Sequence, residues 1–151
     1  MPHARRRMEA RVMCVGPTIL DIGGEGRHPE AWNLNPRRNK TFGPERGELI
    51  PRWIEGRGER IPLPDGSVEV LIVERTPLVP ATLAEIARVA SPTARIILRH
   101  VPVYHLDPHR LAVQVLKGKI DRGTITIGQH TLQETVICRA EAVGGATAIS
   151  K

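Results

Sequence analysis

The sequence has 151 residues, of which 40% are hydrophobic and 25% charged, and its formal net charge is +6. This length suits one compact domain and excludes a nucleotide-binding domain joined to a separate substrate domain. The 2 cysteines exclude a disulfide framework and indicate a reducing compartment, and no apolar stretch approaches the roughly 20 residues that span a bilayer. We therefore expect a cytoplasmic protein with a flexible basic arm over residues 1–12 and a single domain over residues 13–151.

The first half of the chain predicts short buried strands separated by turns. Apolar runs of strand length cover residues 18–22, 31–34 and 53–55. A glycine-rich turn over residues 23–26 follows the first of these strands directly. Residues 37–61 are rich in glycine, proline and charge, which predicts an irregular segment apart from its short strand, with one helical turn near residues 45–49.

The second half predicts a more regular alternation of strands and helices. The elements expected in chain order are a strand at 68–73, a helix at 80–90, a strand at 94–98, a helix at 108–116, and strands at 123–127 and 131–138. Pro80 suits the first turn of its helix, and Leu111, Val115 and Ala112 are expected to face inward from the next one. This order predicts an α/β fold with a mainly parallel sheet and a C-terminal antiparallel hairpin.

The glycine-rich turn is the first candidate for chemistry. Glycines placed directly after a strand let the backbone approach a ligand at the carboxyl end of a parallel sheet. A plain tight turn explains the same residues, so the two interpretations stay open at this point. The turn lacks the Gly-Lys-Ser/Thr ending of a phosphate-binding loop, and no predicted helix follows Gly26 to receive a pyrophosphate.

Three motifs in a fixed order extend the argument beyond that turn. They are Leu-Asp-Ile-Gly-Gly-Glu-Gly at 20–26, Ile-Pro-Leu-Pro-Asp-Gly-Ser-Val-Glu-Val at 61–70, and Glu-Ile-Ala-Arg-Val-Ala-Ser-Pro at 85–92. Together with the charged end of the strand before residue 75, this order resembles the class I S-adenosylmethionine-dependent methyltransferases over about residues 18–100. The resemblance implies a Rossmann-like methyltransferase fold, an enzyme, and S-adenosylmethionine as cofactor.

The resemblance also implies roles for individual positions. The three turn glycines would border the methionine and ribose part of the cofactor, and Asn35 stands where an acidic residue usually holds the ribose hydroxyls. Arg57 stands near the adenine position and departs from the family pattern. The predicted cofactor site comprises Asp21, Gly23, Gly24, Glu25, Gly26, Asn33, Asn35, Gly58, Glu59, Glu74 and Arg75.

A second cluster of titratable residues follows the strand predicted at 94–98. It contains His100, Tyr104, His105, Asp107 and His109, and it should overhang the same edge of the sheet. Three interpretations are open: convergence on a metal ion, general-base catalysis by His105 or His109, and polar surface next to a helix that Asp107 caps. We predict the second of these and no metal site.

These observations favour a compact methyltransferase that acts on a small molecule. One alternative is a protein of the same fold that has lost methylation and performs acid–base chemistry, such as cyclisation or elimination, with its histidines. Another is a binding module for nucleic acid or a partner protein, since basic residues release phosphate counterions. A short chain with open sheet edges also predicts a homo-oligomer, most simply a homodimer.

Overall fold

The computed structural model describes residues 17–139, which form one seven-stranded sheet flanked by helices. Its elements in chain order are β1 (Ile19–Ile22), β2 (Trp32–Asn35), β3 (Trp53–Glu55), β4 (Val68–Glu74), α1 (Pro80–Val89), β5 (Ala90–His100), α2 (Arg110–Val115), β6 (Lys119–Ile127) and β7 (His130–Cys138). The basic arm predicted for residues 1–12 lies outside the described residues. No helix among residues 17–139 has the length and apolar character needed to cross a membrane.

The strand order across the sheet is β3-β2-β1-β4-β5-β7-β6. The first five of these strands are mutually parallel. The last two form a hairpin, whose strand β7 pairs antiparallel with β5. This confirms the predicted α/β fold with a mainly parallel sheet and a C-terminal antiparallel hairpin. The arrangement brings the carboxyl ends of β1, β2 and β4 to one edge, where open sheets bind ligands.

An aliphatic core lies under the central strands. Strands β1, β4 and β5 contribute the fully buried side chains of Leu20, Leu71 and Leu98. Leu83 and Ile86 of α1 pack in the same core. Each such side chain stabilises the fold by roughly 1.5–3 kcal/mol through the apolar area it removes from water. The core therefore fixes the central strands, whose ends carry the polar residues described below.

Helix α2 departs from the expected orientation. Leu111 and Val115, which were predicted to face inward, are 43% and 41% exposed, whereas Ala112 is buried as predicted, together with Leu116. Ala112 and Leu116 are one helical turn apart and share the face that meets the core, so Leu111 and Val115, each one position earlier in the chain, face away from it. The prediction for Leu111 and Val115 was wrong for this reason.

Two other segments differ from their sequence-based description. Strand β5 begins at Ala90, directly after α1, because Ala90 pairs with Val68 across a bulge in the β4–β5 ladder. The helical turn expected near residues 45–49 is instead part of a loop closed by a bridge between Asn39 and Leu49. Gly43 and Gly47 adopt positive φ values of 76° and 91° in this loop, a conformation that interrupts a helix.

Candidate functional site

The glycine turn after β1 packs against side chains of the protein itself. Gly23 has a φ of +77°, and a Cβ atom there would lie 2.3 Å from Thr76 Oγ1. A Cβ on Gly24 would lie 2.4 Å from both Asn33 Oδ1 and the Asp21 carboxylate. The turn therefore requires glycine for close packing as well as for its backbone conformation, and it brings the end of β1 against the residues that follow β4.

Two asparagines from β2 hold this turn in place. Asn33 Oδ1 accepts a hydrogen bond of 3.1 Å from the Gly26 backbone N–H. Asn35 Nδ2 donates to the Gly24 carbonyl oxygen at 3.1 Å, and its Oδ1 accepts from the Arg37 backbone N–H at 3.0 Å. Both side chains are buried. Both asparagines thus hold the loop through hydrogen bonds to its backbone. The Asn35 amide, which was predicted to bind a ribose, uses both its nitrogen and its oxygen for backbone hydrogen bonds.

A row of charged side chains crosses the sheet at the same edge. Glu74 on β4 is the register partner of Arg99 on β5, and Arg99 is the register partner of Glu134 on β7. Arg99 Nη1 donates to Glu74 Oε1 at 3.3 Å, and Arg99 Nε donates to Glu134 Oε2 at 2.8 Å. Cross-strand neighbours of opposite charge support one another in this geometry.

Two residues of the loop after β1 extend this row. The Arg27 guanidinium donates to both Asp21 oxygens, at 2.9 Å and 3.1 Å, and its Nε lies 3.8 Å from Glu74 Oε2. His28 Nε2 lies 3.3 Å from Glu74 Oε1. Glu74 is thus surrounded by three basic side chains although only 4% of its surface is exposed. We call Asp21, Arg27, His28, Glu74, Arg99 and Glu134 the ionic network.

The two buried carboxylates of this network are shifted in opposite directions. Burial raises the pKa of Asp21 above its ordinary value, and the hydrogen bonds from Arg27 offset this only in part. The hydrogen bond from His28, together with Arg27 and Arg99, lowers the pKa of Glu74 to about 2. Glu74 is therefore a fixed negative charge throughout the neutral range, held at the carboxyl end of β4.

Two adjoining cavities open at this edge of the sheet. The smaller has a volume of about 210 Å³ and is lined by the ends of β1 and β2, the turn after β3 and the start of α1. The larger has a volume of about 520 Å³ and lies between the glycine turn, residues 40–45, the end of β4 and the tip of the β6–β7 hairpin. Gly23 and Thr76 line both cavities, so they mark the junction between them.

The structure divides the predicted cofactor residues into two groups. Those that line a cavity are Gly23, Glu25, Gly26, Gly58, Glu59, Glu74 and Arg75. The others, Asp21, Gly24, Asn33 and Asn35, lie behind the turn and support it through the contacts described above. That these residues bind a cofactor remains a prediction. Seven of them line a cavity and could touch a ligand, whereas the other four hold the glycine turn in place.

The histidine cluster is brought together only in part. His100 Nδ1 lies 2.9 Å from His109 Nε2, and both rings are otherwise bonded, His100 Nε2 to the Thr76 carbonyl oxygen and His109 Nδ1 to Thr135 Oγ1. All four ring nitrogens are therefore engaged within the protein. Asp107 Oδ1 accepts from the His109 backbone N–H at 2.9 Å and pairs with Arg122; it thus bonds the residue that precedes α2, and no side chain in the described part of the chain caps the first turn of that helix.

Tyr104 and His105 lie apart from that pair, at the tip of an exposed turn. The turn is closed by a hydrogen bond of 2.9 Å from the Leu106 backbone N–H to the Val103 carbonyl oxygen. Its two central residues have φ values of 53° and 64°, which cost about 1 kcal/mol or more each in residues other than glycine. Tyr104 is 89% exposed. Within residues 17–139, no group of three metal-ligating side chains is close enough to hold an ion.

Sequence reasoning did not single out four residues of this site, Arg27, His28, Thr76 and Arg99. Arg99 could have been found, because Glu74 and Arg99 both end strands that the fold class places side by side. Arg27 and His28 belong to an irregular loop, and Thr76 joins the site through its carbonyl oxygen and its contact with Gly23. No sequence pattern marks contacts of that kind.

Comparisons with known proteins identify the fold but not a sequence family. No protein-family model matches the sequence, and no curated protein matches it. Several solved structures do share its architecture. A magnesium protoporphyrin IX methyltransferase from Synechocystis has a TM-score of 0.56 at 15% identity, over 91% of this chain and 77% of that chain.

Two further solved structures agree with it. A 16S rRNA (adenine(1408)-N(1))-methyltransferase from Catenulisporales acidiphilia has a TM-score of 0.55 at 14% identity, and an S-adenosylmethionine-dependent methyltransferase from Aquifex aeolicus has a TM-score of 0.50 at 16% identity. Each similarity covers 85% of this chain and 88% of the other chain. The chain therefore has the class I methyltransferase fold that the order of its motifs predicted.

Proposed function

We propose that this protein transfers a methyl group from S-adenosylmethionine to a small-molecule acceptor. The observation that carries the proposal is the pair of cavities that meet at Gly23 and Thr76, on the ligand-binding edge of a sheet with the methyltransferase fold. A cofactor bound across that junction would lie with its adenosine in the smaller cavity and its methionine part in the larger one.

The smaller cavity suits a nucleoside. Its walls include the apolar side chains of Ile22, Leu34 and Val79, with Glu59 and Thr82 supplying polar groups. A Cβ atom on Gly58 would lie 2.9 Å from Thr82 and 3.0 Å from Ile22, so the turn after β3 packs against these two wall residues closely enough to require glycine. Mostly apolar lining with a few polar groups is typical of small-molecule sites.

The charges of the larger cavity suit an amino-acid group. Most of its charged side chains already have partners of opposite sign: Arg27 with Asp21, Lys40 with Glu45, and Glu74 with Arg99. Among residues 17–139, Arg75 has no ion-pair partner, and Glu25 is bonded by the neutral Thr41 rather than by a cation. One open positive and one open negative charge match the carboxylate and ammonium groups of a methionine part.

Methyl transfer needs little from the protein beyond alignment of the donor with its acceptor. The cofactor, when bound, supplies an electrophilic methyl group, and the residues of the chain hold the two reactants close and exclude water. Phe42 and Ile127 also line the larger cavity. They provide apolar surface for an acceptor of small-molecule size.

A nucleic-acid base is a second candidate acceptor. Phe42 is 79% exposed at the rim of the larger cavity, beside Lys40. An exposed aromatic ring beside a basic side chain can stack an unpaired base, and one solved structure of the same fold is an rRNA methyltransferase. Methylation of RNA that Phe42→Ala abolishes, with small-molecule methylation absent, would favour this candidate over the first.

Calorimetric titration with S-adenosylmethionine and with 5′-methylthioadenosine tests the proposal. 5′-Methylthioadenosine lacks the amino-acid group. Arg75→Gln should therefore weaken the binding of S-adenosylmethionine by about tenfold or more and leave the binding of 5′-methylthioadenosine unchanged. Arg95→Gln, at an exposed position on β5, is the matched control and should alter neither. Absence of binding by S-adenosylmethionine at millimolar concentration would overturn the proposal.

We also propose that the protein is a homodimer. The sheet has two edge strands, β3 and β6, and β6 is exposed along most of its length. An edge strand presents unpaired backbone groups that a second copy can pair with. Light scattering should give twice the mass of one chain, and the mass of a single chain at all concentrations would contradict this.

A further inference from the structure

Four residues from four different segments form a buried chain of hydrogen bonds. Thr135 on β7 lies 2.7 Å from His109 Nδ1, His109 Nε2 lies 2.9 Å from His100 Nδ1, and His100 Nε2 lies 2.6 Å from the Thr76 carbonyl oxygen. Thr135 and His109 are fully buried. The chain thus runs from the hairpin, past the start of α2 and the end of β5, to the segment after β4.

When both rings are neutral, the carbonyl oxygen of Thr76 fixes the direction of every bond in this chain. A carbonyl accepts only, so His100 Nε2 must carry a proton, and the Nδ1 of a neutral His100 is then an acceptor. His109 Nε2 must therefore donate to it, which makes His109 Nδ1 the acceptor of the Thr135 hydroxyl. With both rings neutral, each carries its proton on Nε2, whereas a second proton on His109 would make the Thr135 hydroxyl accept a hydrogen bond instead of donating one.

The surroundings favour the neutral rings. Burial lowers the pKa of His100, and burial together with His100 lowers the pKa of His109 to about 4. The charged groups that act on His109 are Asp107 and Arg122, and those that act on His100 are Arg27 and Glu74. The attraction of the carboxylates is opposed by the two arginines, so the rings stay uncharged at neutral pH.

The far end of the chain lies at the junction of the two cavities. Thr76 lines both of them, and its side chain occupies the space that a Cβ atom on Gly23 would need. Pro77 follows directly, so the next peptide has no N–H with which to anchor the segment. The hydrogen bond from His100 is thus the polar contact that sets the position of the Thr76 carbonyl group.

We propose that Thr135, His109 and His100 are positioning residues, which hold Thr76 at the cavity junction through a neutral hydrogen-bond chain of one direction. The consequence for ligand binding rests on the proposed function, whereas the chain itself does not. None of the three residues needs to touch the cofactor or the acceptor. Their role is to fix the position of Thr76, in the cavity wall, relative to the β6–β7 hairpin.

Nitrogen NMR of the histidine rings tests the chain directly. We expect a protonated Nε2 and an unprotonated, hydrogen-bonded Nδ1 on both His100 and His109 at neutral pH, with assignments from His100→Gln and His109→Gln. Thr135→Val should shift the Nδ1 resonance of His109, and Thr135→Ser, which keeps the hydroxyl, should leave it in place. A protonated Nδ1 on either ring, or an imidazolium ion, would overturn the proposal.

Titration of the same variants with S-adenosylmethionine tests the positioning role. Loss of one hydrogen bond of the chain in Thr135→Val should weaken binding about fivefold, while Thr135→Ser stays within about twofold of the parent protein. Equal binding by the valine variant, with its fold intact by circular dichroism, would refute the positioning role. If the parent protein itself fails to bind, the proposed function fails, and the ring tautomers still decide whether the chain exists.

Discussion

Two polar networks cross the same strands of this protein, one charged and one neutral. On β5, Arg99 belongs to the ionic network and the next residue, His100, belongs to the neutral chain. On β7, Glu134 and Thr135 divide in the same way. Successive side chains of a strand point to opposite faces, so the period of two separates the networks although their residues are adjacent in sequence.

The two networks differ in what holds them together. The ionic network joins carboxylates to basic side chains, in cross-strand register from Glu74 to Glu134, and hydrogen bonds from basic neighbours keep Glu74 ionised. The neutral chain depends on direction, since each group donates at one end and accepts at the other. Both end at the larger cavity, through Glu74 and Thr76. The stabilities that the ionic network and the neutral chain contribute should therefore respond differently to substitution, acid and salt.

Glu74→Gln should have the largest effect on stability. It removes the carboxylate shared by Arg27, His28 and Arg99 and leaves the two guanidinium groups beside a nearly buried amide. Breaking one side of a buried ion pair costs roughly 3–5 kcal/mol of unfolding free energy. Chemical denaturation measures this loss.

The matched control is Glu69→Gln on the same strand. Glu69 is exposed and accepts hydrogen bonds from Ser91 and Thr93, which an amide oxygen can still accept. Its loss should stay within about 0.5 kcal/mol. Similar losses for both variants would show that the ionic network contributes no more than an exposed carboxylate on β4.

Gly23→Ala should come next, at roughly 3 kcal/mol, because it adds a clash to backbone strain. The new Cβ would meet Thr76 Oγ1 at 2.3 Å, and residue 23 has a φ of +77°. Gly66→Ala separates the two effects, since Gly66 has a φ of +65° with nothing within 4 Å. It should lose only about 1–2 kcal/mol. Equal losses of unfolding free energy in the two variants would mean that contact with Thr76 does not restrict residue 23.

How much of this arrangement can be predicted from sequence depends on the kind of contact. Strands β1, β3 and β4 follow from apolar runs bounded by glycine, proline and charge, and β3 was predicted with its bounds over residues 53–55. The order of the motifs predicted the fold. These features depend on local pattern and on hydrophobic periodicity, which a single sequence carries.

The contacts between segments follow a different logic. The residues His100 and His109 were recognised as a cluster, but their bonds to Thr76 and Thr135 depend on how β7 inserts beside β5. The support of the glycine turn by Asn33 and Asn35 depends in turn on the depth of burial behind it. Such pairings join residues far apart in sequence, and no local pattern encodes them.

Acid should disrupt the two networks in a fixed order. The pKa of His109 falls from its ordinary 6.5 to about 4 in the folded protein. As the pH falls below 6.5, the unfolded chain therefore binds a proton on this residue before the folded chain does. Roughly 3 kcal/mol of unfolding free energy, complete above pH 6.5, is lost by about pH 4. The pKa of Glu74 falls from 4.5 to about 2, so its contribution is complete above pH 4.5 and is lost only as the pH approaches 2.

Denaturation at a series of pH values separates these two steps. His109→Gln should make the step at higher pH smaller, leaving the part that His100 contributes, and Glu74→Gln should remove the step at lower pH. His105→Gln, on the exposed turn, is the control and should keep both. A step at higher pH that keeps its full size in His109→Gln would assign it to other groups and contradict the neutral chain.

The smallest expected effect is a difference in salt dependence between two substitutions on β7, one in each network. Glu134 is paired with Arg99 at 2.8 Å, and their side chains are 25% and 18% exposed, so Glu134→Gln should cost about 1 kcal/mol at low ionic strength. Thr135→Val should cost about as much, because it leaves His109 Nδ1 without a donor. At about 1 M salt the Debye length falls to about 3 Å, which should reduce the first loss and leave the second unchanged. An equal response of the two variants to salt, measured by thermal denaturation, would mean that the adjacent residues do not belong to networks of different charge.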